Sequence, residues 1–335
     1  ASISFGPLIG GYLVDDYSWH LIFDVNVPVG LAAILFAIFI QKEWRGARAG
    51  SFDWPGFLCV VCFMPLLIFA LARGNSPLNP EGWSSPEVIG CFAVAAAALI
   101  VFIVRELRCE NPLLNLKLLG ERNFGVSMAV LAIFGIGMLG GTYLLPLYMQ
   151  KGLGYTAIMA GSVFLPVGLI QGVLSTCSGF LTRYIKPLFI AVTGILVMTL
   201  SFYFASRFTL HTTHAQIMLV LYLRGFGMGL TFAPLNDFSL MNLSQRDMAS
   251  AAGISNSIKQ LSGSVSIALL TVILTGRTAF HSAQGGLSSA ESYVAGISDD
   301  FLFVTFVSLA SALPFLWLLR PRRKAASFKS EGTGT

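Results

Sequence analysis

Charge is what this sequence has least of. Only 11% of its 335 residues are Asp, Glu, Lys or Arg, against about 25% in soluble domains. With 55% hydrophobic residues and a mean hydropathy of +0.75, the chain reads as an all-α polytopic membrane protein. Cysteine is scarce as well, at positions 59, 62, 91, 109 and 177. Cys59 and Cys62 share C-x-x-C spacing, but within an apolar helical run and with no strand beside it. They read as helix packing and not as a redox pair. The histidines at 20, 211, 214 and 281 show no ligand-like spacing, apart from His211 and His214 in a short polar loop. No metal and no cofactor are expected. A glycine-rich phosphate loop, H-E-x-x-H and G-x-S-x-G are all missing, which argues against ATP-driven chemistry and against an enzyme. There is neither an initiating Met nor a signal-peptide pattern, and the first residues already follow a helical pattern. A fragment without its N-terminal part is expected.

What is present is long apolar runs. A bilayer core takes about 20 apolar residues per helix. On that measure a partial span covers 1–14, and nine complete spans cover 21–40, 55–72, 87–104, 124–149, 157–181, 188–206, 215–240, 249–275 and 299–319. The connections 73–86 and 276–298, rich in small and polar residues, read as flexible surface loops. Lys and Arg set the orientation. If the chain end is cytoplasmic, fifteen of the 21 basic residues fall on that side, through the tail Arg320-Pro321-Arg322-Arg323-Lys324. The opposite side holds Arg73, Lys151, Arg207 and Arg277, and only Arg224 and Lys259 lie within spans. The pI of about 9.0 therefore follows from membrane orientation and implies no nucleic acid.

Near the start, Ser2, Gly6 and Gly10 recur every four residues, forming a small-residue face on which another backbone can pack closely. Pro7 removes a backbone hydrogen bond and bends the helix. The run Gly6-Pro7-Leu8-Ile9-Gly10-Gly11 resembles motif C, G-P-x-x-G-G, in span 5 of drug:proton antiporters of the major facilitator superfamily. Trp19-His20-Leu21-Ile22-Phe23-Asp24-Val25-Asn26-Val27-Pro28-Val29-Gly30 is similar to the start of span 6 in the fourteen-span EmrB/QacA-like branch. His20 stands where Arg is usual, and Asp24 where an apolar residue is. The similarity continues through Glu106-Leu107, Asn111-Pro112, Arg122-Asn123-Phe124, Gly154-Tyr155-Thr156, Pro166-Val167-Gly168 and Ala251 to Gly263.

The resemblance implies a major facilitator fold holding spans 5–14 of fourteen. Residues 1–43 would be the remnant of an N-terminal six-helix bundle and 44–107 two linker helices. Residues 108–320 would form the C-terminal bundle and 321–335 a basic cytoplasmic tail. It implies an exporter of drugs or toxic amphipathic metabolites by proton antiport, in the inner or plasma membrane. A periplasmic adaptor protein is an implied partner, and the usual proton carboxylate would lie in span 1. Such a fragment alone is not expected to transport. Rival expectations are export of a siderophore, amino acid or other metabolite, and a non-transporting scaffold or receptor if the chain is complete.

Ionisable groups inside a membrane usually face a cavity or a partner. Asn256, Lys259, Gln260 and Gly263 share one face of their helix. Lys259 lies too deep to snorkel, so it either lines a cavity or gate or pairs to hold helices together. Arg224 leads into Gly225, Gly227 and Gly229, which thin the helix all round, and both structural pairing and cavity lining stand as readings. Asp237 is 13 residues beyond Arg224, about 20 Å along a helix, too far for an ion pair. It is either solvated or part of the site. Asp24 is solvated or titrates with His20. Tyr143 and Gln171 are candidates for a drug-site lining, although aromatics also serve as packing. Thr182 stands where a second copy of motif A would have Asp, which argues against a charge relay there. The orientation predicts that a fluorescent protein fused to the C-terminus glows, while alkaline phosphatase inserted at His211 is active. The reverse pattern would invert the topology.

Overall fold

In the computed structural model, the described residues are 2–40, 53–74, 76, 79–109, 112–245, 247–284 and 286–318. The basic tail 321–335 lies outside them, as do Lys42, Arg45, Arg48, Arg246 and Arg320. Among the described residues there is no strand, and nine helical segments are long and apolar enough to cross a membrane. For all but the last two, their limits follow the expected spans closely. The shorter first helix, α1, runs Ser2–Asp16. α2 (Leu21–Asp24) and α3 (Asn26–Ile40) follow almost without a break. α4 (Trp54–Gly74) and α5 (Pro86–Arg108) form an antiparallel pair. After them come α6 (Arg122–Leu147), a π-turn at Tyr148–Gly152, α7 (Ala157–Ser162) and α8 (Phe164–Leu181). The chain continues through α9 (Pro187–Ala205), α10 (His214–Leu240), α11 (Met248–Ala283), α12 (Ser289–Ala310) and α13 (Leu313–Leu318).

α6 is the hub. It packs against α10, α11, α12 and α13, and its window is the most buried of the nine. No side-chain stripe explains this, since α6 is apolar all round, as expected for an enclosed membrane helix. Its glycines make the approach possible. A methyl group added at Gly135 would lie 2.9 Å from Ser262 Cβ on α11, and one at Gly140 would lie 2.6 Å from Leu270. Ser266 Oγ completes the seam by donating to the Ile136 carbonyl at 2.7 Å. The glycines of α10 divide between two neighbours, as their odd spacing predicts. Gly225 and Gly229 abut Val167, Gln171 and Leu174 of α8, whereas Gly227 abuts Gly194 and Met198 of α9. Outward-facing residues such as Phe36, Phe39, Val173 and Phe189 are exposed, which suits lipid contact.

Described residues in both connections expected to be flexible make specific contacts. In 73–86, Asn79 donates to the Arg73 and Gly82 carbonyls at 3.2 and 2.8 Å, and Arg73 pairs with Glu87 at 3.2 Å. Most of 276–298 is helical, because α11 continues to Ala283 and α12 begins at Ser289 instead of near 299. The reason is a capping box: Ser288 accepts from the Glu291 amide, and Glu291 accepts from the Ser288 amide at 2.7 Å. The last helix accordingly ends earlier, at Ala310, and the short α13 follows it.

At the foot of the α4–α5 pair, Asp53 accepts from the Gly56 amide at 3.0 Å, capping α4, and from Arg105 Nε at 2.7 Å. Its side chain is almost wholly buried, at 1% exposure. Burial pushes this carboxyl up, but the Gly56 amide and the Arg105 guanidinium outweigh it and hold it below the usual carboxylate range. A depressed carboxyl stabilises the fold above its unfolded value and loses that contribution as pH falls through the folded value. The thermal midpoint of the purified protein in detergent should therefore decline on acidification below the ordinary Asp range. In Asp53→Ala that acid-dependent decline should shrink and the neutral-pH midpoint should be lower.

Candidate functional site

The first candidate region is the seam of α1 with α7 and α8. The face in contact is Pro7, Gly11 and Asp15, rotated one residue from the expected face of Ser2, Gly6 and Gly10. A methyl group at Gly11 would lie 2.5 Å from the Ala157 carbonyl oxygen, and one at Gly161 would clash with the Pro7 carbonyl. At Gly6 and Gly10 the same methyl meets nothing within 4 Å. The reason is helical geometry: at 100° per residue, i, i+4 and i+8 keep one face, and Pro7 turns its carbonyl toward α7. Asp15 finishes the seam by accepting from the Ile158 amide at 2.7 Å. Beside it runs a groove of about 350 Å³ lined by residues including Gly10, Val14, Pro146, Gln150 and Phe164. All of this lies at the end away from the Lys/Arg-rich connections.

The span-6 motif residues lie apart from this seam. Trp19 is exposed and stacks on His20 with ring centroids 3.8 Å apart. Asn26 donates to the Ile22 carbonyl at 2.9 Å, fastening α2 to α3, while Pro28 and Gly30 are exposed on α3. Of the two readings for Asp24, the structure shows the exposed one and no pairing with His20. The His20 ring bonds Ser18 Oγ at 2.9 Å instead, and Asp24 is exposed.

The second region surrounds α6. Arg224 on α10 is buried, at 3% exposure, and donates to the Met138 carbonyl at 3.1 Å and to Thr142 Oγ1. Thr142 is exposed, so the guanidinium sits just beneath the surface of α6. No carboxylate pairs with it among the described residues. Tyr143, the next residue, joins α6 to α11 through Thr271 Oγ1 at 3.1 Å. Lys259 is half-buried, with its ammonium 5.5 Å from the centre of the Phe232 ring. Its neighbour is thus an aromatic face. Phe134 meets Phe232 edge-on, so Phe134, Phe232 and Lys259 link α6, α10 and α11. Asn256 and Gln260 remain exposed on α11, Gln171 is half-buried on α8, and Asp237 is exposed on α10. Among the described residues no hydrogen bond or ion pair joins any of these four to Arg224 or Tyr143. Among the described residues no group of His, Cys, Asp and Glu is arranged to hold a metal.

Sequence reasoning missed a third group. Asp299 accepts from Arg277 Nε at 2.6 Å and lies 2.8 Å from His281 Nε2. Asp300 is wholly buried, and neither carboxylate oxygen has a hydrogen-bond partner. The expected span 299–319 would begin at this pair. The S-x-x-E signature at Ser288 and Glu291 is the signal that places them ten residues inside α12.

The model of the Major Facilitator Superfamily matches residues 1–267. The chain is 31% identical over 280 residues to the uncharacterized MFS-type transporter YhcA of Bacillus subtilis, covering 83% of this chain and 52% of that protein. It is 30% identical over 282 residues to the multidrug export protein EmrB of Escherichia coli, covering 83% and 54%. With the lincomycin resistance protein LmrB of Listeria innocua it shares 25% over 321 residues, covering 95% and 67%. The chain thus spans about half the length of the first of these relatives.

The seam generates a test. Gly161→Val puts a branched side chain against the Pro7 carbonyl, and overpacking of this kind costs about 1–3 kcal/mol. The thermal midpoint should fall and cysteines placed at Val14 and Ala157 should cross-link less. A Gly90→Ala control, with open space at its methyl, should leave both unchanged.

Proposed function

The chain belongs to the major facilitator superfamily, and on that footing we propose that it works in a secondary active transporter exporting drugs or toxic amphipathic metabolites in exchange for protons. It is a multi-pass membrane protein, and its C-terminus is cytoplasmic in this reading. Residues 1–43 belong to the first bundle, 44–107 to the linker helices and 108–320 to the second bundle. The names of its relatives support the cargo class: a multidrug export protein, a lincomycin resistance protein and, at 28% identity, the puromycin resistance protein pur8 of Streptomyces alboniger. A periplasmic adaptor is a further proposed partner.

The observation that carries the proposal is the seam of Pro7, Gly11 and Asp15 against Ala157, Ile158 and Gly161. Backbone meets backbone at Gly11 and Gly161, at the end away from the Lys/Arg-rich connections. Such a contact makes a tight closure that opens by rocking and needs no repacking of long side chains. Alternating access between two bundles requires a contact of that kind at each end in turn. In this reading the seam closes the outer end. Arg224, Tyr143 and Lys259 would then belong to the cavity side of the second bundle, where a buried cation and aromatic faces suit amphipathic cargo.

The full-length protein, reconstituted in vesicles, should expel a fluorescent drug against its gradient when a proton gradient is imposed. A protonophore should stop it. Efflux that ignores collapse of the proton gradient would sink the proposal.

A further inference from the structure

We propose that Asp300, in the middle of α12, is a proton-binding carboxyl of this transporter; the proposal rests on the antiport reading above. Asp300 has no exposed surface, and both its carboxylate oxygens are buried without a hydrogen-bond partner. Its depth follows from its neighbours. Gly296, one turn before it, abuts Leu274 and Thr278 of α11, and Val304, one turn after it, faces Gly140 of α6. Asp300 therefore lies level with Tyr143 and Thr271, whose hydroxyls join α6 to α11. Two other buried hydroxyls, Thr278 Oγ1 on α11 and Ser292 Oγ on α12, also lack partners.

The titratable and charged groups around it are few. On α12 they are Glu291, which caps the helix start, Tyr293 and Asp299. On α11 they are Arg277 and His281, both engaged by Asp299. α6 presents Tyr143, bonded to Thr271. The π-turn presents Tyr148, bonded to the Thr209 carbonyl, and the exposed Lys151. α9 and its end present Tyr203 and Arg207, bonded to each other. None neutralises Asp300.

An unpaired carboxylate in an apolar interior is far costlier than the neutral acid. Asp300 thus carries its proton in this outer-closed state. Release follows when α6, α11 and α12 shift enough to admit water: the acid becomes carboxylate plus one proton, and reprotonation reverses the step. The Arg277–His281–Asp299 cluster, part-exposed near the outer end, lies one residue away and forms a polar approach from the outer side.

Infrared difference spectra of the chain in lipid, between acid and alkaline pH, test this without transport. The carbonyl stretch of a buried protonated carboxyl should be present in the wild type and lost in Asp300→Asn, which preserves the shape of the neutral acid. An unchanged band in Asp300→Asn overturns the proposal. If that variant does not fold, an apolar carbodiimide on the wild type decides: an adduct at Asp300 that fades as pH rises supports it, and an unmodified Asp300 at acid pH overturns it. In vesicles of the full-length protein, Asp300→Asn should lose gradient-driven efflux and keep downhill exchange of drug. Retained gradient-driven efflux overturns the assignment even where the transporter reading holds, and an inactive wild type fails that reading while leaving the infrared result to judge Asp300.

Discussion

Between α9 and α10 there is no room for a methyl group at Gly194 or at Gly227, where the backbone of one helix lies against the backbone of the other. A methyl group is likewise crowded by backbone at Gly225 and Gly229 on α10 and at Gly11 and Gly161 between α1 and α7, and by α11 side chains at Gly135 and Gly140 on α6. In lipid, apolar side chains gain little by leaving one oily surface for another, so helices adhere through close packing and interhelical hydrogen bonds. Nearly every contact that organises this protein depends on the absence of a side chain at a defined place. Serine and threonine reinforce those places, as Ser266 does with the Ile136 carbonyl and Ser178 with that of Gly229.

The same environment explains why the few buried charges stand out. Arg224 spends its guanidinium on a carbonyl and a hydroxyl of α6, while Asp300, also against α6 through its helix, has no bond at all. The two sit on different neighbours of one hub. A cation held by neutral acceptors and an acid held by none are both sensitive to any shift of α6. On the proposed antiport reading, this is where helix movement would meet protonation.

Much of the architecture was legible in the sequence. Long apolar runs have one solution in a bilayer, and their boundaries fell within about four residues of the helices for seven of the nine spans. The exception came at 276–298, where small polar residues read as a loop and a capping box made them helical. The site was less legible. Arg224, Tyr143 and Lys259 were visible as polar residues in apolar runs, but their partners were not, because a carbonyl, a hydroxyl or an aromatic face leaves no sequence signature. Asp24 seemed matched to His20 by spacing alone, and Ser18 proved the nearer partner.

From the sequence alone came the membrane class, the number and order of the spans, the proposed orientation and the likeness to a transporter family. Those follow from composition and from motifs that are local along the chain. Only the tertiary structure decided which face of α1 meets α7, which glycines touch which helix, and that Asp300 is sealed without a partner. Each depends on the rotation of one helix about its axis relative to another. A helix that is apolar all round does not encode that rotation; the places where backbones can approach closely do.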